Sequence, residues 1–190
     1  MKSISTLSII FMLGMTSCST LQKSYFTVDT RKRVEEIAIP LEKLQYYIDK
    51  DVELKRELVA RDAKVSSGKV VIENGKYVNI ITLKAGTLGV CTRSLNNALE
   101  ISFENGENKN IRFTVPERAS PGAVYSLFAD QWLTSYNTYN PDISQTGKIV
   151  YDGELYYMRF TGDRPKLMIE KTSKDKYQVN NRVMGGRKVE

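Results

Sequence analysis

The sequence predicts a mainly β domain: an antiparallel β-sandwich or a filled β-barrel built from hairpins, with at most one or two short helices. Strand-forming runs recur in pairs around turn dipeptides, of which Asn74-Gly75 and Asp152-Gly153 are the sharpest. A type I′ turn needs positive φ at both central residues, and these dipeptides accept it cheaply. Apolar and polar residues alternate within several runs, which is the pattern of a half-buried strand. The 190 residues, 41% hydrophobic and 26% charged, suit one globular domain with short extras. A chain of this size buries roughly two thirds of its unfolded surface and needs no disulfide staples.

The first seventeen residues read as an export signal. Lys2 is followed by the short apolar stretch Leu7-Ser8-Ile9-Ile10-Phe11-Met12-Leu13-Gly14-Met15, which ends in small residues. The stretch falls well short of the roughly 20 residues a helix needs to cross a bilayer. Directly after Thr16-Ser17 stands Cys18, and this junction resembles the lipobox of bacterial lipoproteins. Met15 occupies the place where leucine is usual, and Ser17 the place of glycine or alanine. The resemblance covers only the leader and its cleavage site. It implies a diacylglyceryl thioether on Cys18 and an acylated amino terminus, with palmitate-type chains, and two or more chains give stable anchoring where one does not. It also implies an outer-membrane address facing the periplasm, because Ser19 is not the aspartate associated with inner-membrane retention. An ordinary secretory leader with an unmodified cysteine is the alternative.

Removal of residues 1–17 takes away only Lys2 and leaves a formal charge of +5, one less than the +6 of the whole chain. The basic residues are dispersed among acids, so no nucleic-acid partner is expected. Residues 18–38 read as a lipidated terminus and flexible tether, with Arg31-Lys32-Arg33 either solvated or touching anionic lipid. A single β domain is expected over 39–184 and a frayed tail over 185–190.

Within the domain, Val70 to Glu73 pairs with Lys76 to Ile81. Position 73 faces 76, 72 faces 77 and 71 faces 78. Both faces are then apolar, with Val71, Val78 and Ile80 on one and Val70, Ile72, Tyr77 and Ile81 on the other, so cover on both sides is expected. The pairing of Ile149–Tyr151 with Glu154–Phe160 gives one dry face (Ile149, Tyr156, Met158, Phe160) and one wet (Lys148, Tyr157, Arg159). Longer connections join Leu99–Phe103 to Ile111–Val115, and Leu167–Glu170 to Tyr177–Val179. Residues 41–60 favour a hairpin turning at Asp49-Lys50-Asp51, with a helix begun by Pro40 as the alternative. Residues 121–133 read equally as a strand or as a helix capped at Ser120-Pro121.

The chain contains no histidine, which excludes the commonest general base and zinc ligand and every Ser-His or Cys-His arrangement. If Cys18 carries lipid, Cys91 has no disulfide partner, and its apolar setting points to a buried, inert thiol. Ser66-Ser67-Gly68-Lys69 matches an S-x-x-K pattern, but the serine sits in a turn leading into a strand, not at a helix start, so acyl-enzyme chemistry is rejected. Glu73, Glu104, Asp152 and Glu154 all fall at turns, where carboxylates usually solvate or shape the chain. No catalytic residue, metal ligand or cofactor other than the covalent lipid is therefore assigned.

Eleven tyrosines are the informative surplus. Tyr46-Tyr47 and Tyr156-Tyr157 each place one ring into a sheet and one out. Tyr47, Trp132, Tyr136, Tyr139 and Tyr157 form the candidate binding surface, since aromatic rings give large contact area at little entropic cost. The expected function is that of a non-enzymatic, lipid-anchored structural or assembly component of the cell envelope, docking on another envelope protein. A glycan- or small-ligand-binding module is the alternative, and a carboxylate hydrolase comes third.

Overall fold

The computed structural model describes residues 22–59, 69–137 and 140–170, and of 134–144 and 161 only the backbone. The chain opens with β1 (Lys23–Tyr25) and α1 (Val28–Glu36), then a 3-10 turn (Leu41–Lys43). Strands β2 (Gln45–Ile48), β3 (Val52–Leu58), β4 (Lys69–Glu73), β5 (Lys76–Leu83), β6 (Leu88–Ser94), β7 (Ala98–Ser102) and β8 (Asn110–Thr114) follow. The chain continues with β9 (Ser126–Leu127), β10 (Gln131–Asn137), β11 (Asn140–Tyr151), β12 (Glu154–Thr161) and β13 (Leu167–Glu170). They form two antiparallel sheets, ordered β1-β13-β2-β6-β7-β8-β9 and β10-β11-β12-β3-β5-β4. Among the described residues neither sheet closes on itself, so the sandwich is realised and the barrel is not.

Alternation along each strand supplies the core between the sheets. Leu167, Ile169, Tyr46, Ile48, Leu99, Ile101, Ile111 and Phe113 come from the first sheet, and Val52, Leu54, Ile149, Tyr156, Met158 and Phe160 from the second. A fully buried side chain of this class contributes about 1.5–3 kcal/mol relative to exposure. Gly89 on β6 is required by this packing, because a Cβ there would stand 2.6 Å from Ile101 and 2.7 Å from Phe103.

The two sharp hairpins adopt the expected registers, with Glu73 opposite Lys76 and Tyr151 opposite Glu154. Asn74, Gly75, Asp152 and Gly153 all take positive φ, as type I′ turns require. The dry face at Ile149, Tyr156, Met158 and Phe160 is buried as expected. Leu99 faces Phe113 and Ile101 faces Ile111, which realises the third hairpin. Residues 121–133 contribute β9 and the start of β10, not a helix.

Four expectations are corrected. The hairpin of β4 and β5 is not covered on both faces: β4 is an edge strand, and Ile72 is 69% exposed and Tyr77 40%. Residues 41–60 yield two strands with a bend at the expected place, but β2 and β3 do not pair; they enter different sheets. The segment Leu167–Glu170 pairs with β1 on one side and β2 on the other, which occupies both of its edges; its expected partner, 177–179, lies outside the described residues.

The fourth correction concerns residues 22–38, which are structure and not tether. Thr27 caps α1, its Oγ1 accepting from the Thr30 amide at 3.1 Å. Three i,i+4 pairs run along it: Asp29 with Arg33 and Lys32 with Glu36 on the exposed side, and Arg31 with Glu35 at the edge that meets the sandwich. Phe26 and Val34 are fully buried, and Phe26 packs on Tyr46 and Tyr125. Arg31 turns inward, donating to the Leu95 carbonyl at 2.7 Å, the Tyr125 hydroxyl at 3.0 Å and Ser94 Oγ at 3.0 Å. Arg31, the first residue of the basic triplet, thus pins the helix to the sandwich.

Three sheet-to-sheet connections meet at one corner. The β2–β3 bend runs through Asp49-Lys50-Asp51, the β5–β6 link through 84–87 and the β12–β13 link through 162–166. Asp49 Oδ1 accepts from the Lys166 amide at 2.6 Å, and the Asp49 amide donates to the Lys166 carbonyl at 3.1 Å. Asp51 accepts from the Ala85 amide at 2.8 Å and from Lys84 Nζ at 2.6 Å, while the Gly86 amide donates to the Ile48 carbonyl at 2.7 Å. Asp49→Ala leaves the Lys166 N–H without its acceptor and is expected to cost about 1–3 kcal/mol in urea unfolding. Asp49→Asn should recover much of that loss, and Asp29→Ala on the exposed helix face should stay within about 0.5 kcal/mol.

Candidate functional site

The five aromatic residues singled out from the sequence do not converge. Tyr47 lies on the outer face of the first sheet, yet only 4% of it is exposed. Lys23 Nζ sits 4.1 Å above its ring, and its hydroxyl donates to Glu170 at 2.5 Å. Burial first, and then this carboxylate, push its pKa up to about 12. Tyr157 stands on the outer face of the opposite sheet, 42% exposed beside Leu155 and Val150. Tyr136 belongs to β10, and Tyr139 lies outside the described residues. Tyr46 and Tyr156 point into the core, as the paired-tyrosine pattern requires.

Around Tyr47 the registers build a surface that the tyrosine count alone does not reveal. Tyr25 faces Met168, Met168 faces Tyr47 and Tyr47 faces Leu88, giving one continuous row across β1, β13, β2 and β6. Tyr25, Leu88 and Val90 are 45%, 58% and 51% exposed. Lys23, Lys166 and Glu170 flank the row, with Lys166 Nζ 5.7 Å over the Tyr25 ring. The available signal was the alternation of Leu88-Gly89-Val90-Cys91: with Gly89 and Cys91 inward, Leu88 and Val90 must face out.

Trp132 lines a second feature, a cleft of about 720 Å³ at the end of the sandwich, between the β9–β10 crossing and the 162–166 link. Val115, Pro116, Leu127 and Phe128 supply its apolar wall, and Gln145, Asp163, Arg164 and Lys166 its polar one. The Trp132 ring packs near Phe160 at 6.3 Å and against Gly147, where a Cβ would come within 2.8 Å of it. The Arg164 guanidinium covers the ring at 4.0 Å, and its Nε donates to Gln145 Oε1 at 3.1 Å. Burial lowers the Arg164 pKa. Trp132 Nε1 is buried without a partner among the described residues.

Each turn carboxylate raised by the sequence has a cation or phenol beside it. Glu73 pairs with Lys55 at 3.0 Å and Glu154 with Arg56 at 2.9 Å. Glu104 accepts from the Tyr151 hydroxyl at 2.6 Å and pairs with Lys109 at 3.2 Å; Asp152 is 3.9 Å from the same lysine. Cys91 is buried on the inner side of β6, and burial pushes its thiol up to about 11. Among the described residues no group of three or more Cys, Asp or Glu side chains is arranged to hold a metal ion, and no helix is long and apolar enough to cross a membrane.

No protein-family model, curated protein sequence or solved structure matches this chain.

Glu100 carries the clearest pH dependence. Its carboxylate lies between Arg93 and Arg112, each at 2.8 Å. Burial opposes its charge, but the two guanidinium groups outweigh burial and hold its pKa below the ordinary range. A depressed folded-state pKa contributes stability that is present above the unfolded value near 4.3 and lost as pH falls through the folded value. Glu100→Gln is expected to lower stability by about 1 kcal/mol at neutral pH, allowing for the exposure of Arg93. The deficit should shrink as pH drops below about 4, measured by chemical denaturation across that range.

Proposed function

We propose that this chain is a lipid-anchored, non-enzymatic component of the bacterial cell envelope, held by acyl chains on Cys18 at the outer membrane facing the periplasm. In this role it docks on another envelope protein through the outer face of the first sheet. The observation that carries the reading is the position of that face relative to the lipobox-like cysteine. β1 begins at Lys23, and the five residue steps from Cys18 to Lys23 reach at most about 18 Å when fully extended. A lipid on Cys18 would hold the β1 edge close to the bilayer and orient the row Tyr25, Met168, Tyr47 and Leu88 consistently toward partners there. An apolar strip with aromatic rings and a charged rim of Lys23, Lys166 and Glu170 has the composition of a protein interface. The engagement of Glu73, Glu104, Asp152 and Glu154 by neighbouring cations and a phenol is consistent with structural duties for these acids.

Two measurements test the reading. The Cys18→Ala protein should appear in the soluble fraction, and wild type should gain the mass of its acyl chains; sedimentation of the variant with membranes overturns the anchor. Leu88→Asp and Val90→Asp alter exposed positions, so unfolding should shift by no more than about 0.5 kcal/mol. Both should abolish stoichiometric recovery of the envelope partner after cross-linking, while Leu155→Asp on the opposite sheet retains it. Recovery that survives both changes refutes this docking face.

A further inference from the structure

Arg164 is a half-buried cation with no acid paired to it among the described residues. Among the described residues it makes no ion pair, whereas its cleft neighbour Lys166 is matched by Asp163 at 2.9 Å. A charge withdrawn from water without a partner is costly, so such a group is commonly completed by an ionic ligand. The side chain is also held in place. The guanidinium carbon sits 4.0 Å over the Trp132 ring, and Gln145 takes the Nε–H. The two terminal NH2 groups carry no hydrogen bond among the described residues, and they form the pair of parallel donors that matches a carboxylate or phosphate edge. The cleft beside them, about 720 Å³, lies within the range of small-molecule sites, and Val115, Pro116, Leu127 and Phe128 offer a wall for an apolar body.

We propose that this cleft binds a small organic oxyanion, a carboxylate or phosphate monoester on an apolar body, with the anionic group seated on Arg164 and the body against Val115, Pro116 and Phe128. Gln145 is a positioning residue: it takes the one donor the ligand does not use and leaves the guanidinium fully charged. The site does not depend on the anchor or on the docking face, so either can fail without the other.

Trp132 is the only tryptophan of the chain and lies directly beneath Arg164, so its emission reports occupancy. Titration with benzoate and with phenyl phosphate should change Trp132 fluorescence saturably, and the tighter of the two identifies the preferred headgroup. Benzyl alcohol, which lacks the charge, should bind at least about tenfold more weakly. Arg164→Gln should lose about tenfold or more in affinity for both anions. Gln145→Glu, which is nearly isosteric, gives Arg164 an internal acid and should cause a similar loss while leaving the unfolding midpoint unchanged or raised. This second variant keeps the test decisive if Arg164→Gln does not fold. Equal binding of the anions and benzyl alcohol, undiminished anion affinity in Gln145→Glu, or no saturable change with any of the three probes overturns the proposal.

Discussion

Asp49 and Asp51 hold together the corner on which the sandwich depends. A strand pair within one sheet is held by its ladder, but two stacked sheets share only side-chain packing and the chain segments that cross between them. Here three of those segments are tied to one another by backbone and carboxylate hydrogen bonds: the β2–β3 bend, the 84–87 link and the 162–166 link. The first Asp joins the β2–β3 bend to the link leading into β13, and the second joins it to the link leading into β6. The relative placement of the sheets, and so the shape of the cleft at Arg164, follows from this geometry. The Leu127 amide extends the tie by donating to the Pro165 carbonyl at 2.8 Å, which brings β9 against the same loop.

The N-terminal segment completes the core. Phe26 fills the space between Tyr46 and Tyr125, and Val34 on α1 is fully buried. The helix itself is short and polar, and in isolation a helix of this length is marginal. Packing of two apolar residues and the three hydrogen bonds from Arg31 to residues 94, 95 and 125 stabilise it. This coupling makes β1 and α1 part of the folded domain, so the described residues 22–38 are not the loose tether expected of them.

The candidate surfaces were legible to different degrees. The inward and outward rings of the two tyrosine pairs could be read from alternation, because side-chain direction in a strand has a period of two. The row through Tyr25, Met168, Tyr47 and Leu88 could not be read, since it joins four strands that lie far apart in the chain and depends on their registers. Arg164 carries no local signal of a site. Nothing in Gly162-Asp163-Arg164-Pro165 distinguishes it from an ordinary polar turn, and its lack of an ion pair among the described residues is a property of the space around it.

The hairpins at Asn74-Gly75 and Asp152-Gly153, the dry face of β12 and the overall β class were determined by the sequence itself, because turn chemistry and alternation act between residues only a few positions apart. The sandwich, the parting of β2 from β3, the capture of Leu167–Glu170 between β1 and β2 and the helix at residues 28–36 were decided by tertiary structure. In each case the deciding partners are remote in sequence: Asp49 with Lys166, Tyr46 with Ile169, Arg31 with Tyr125. A local pattern states what a strand needs on its two faces and edges, and only the assembled chain shows which segment supplies it.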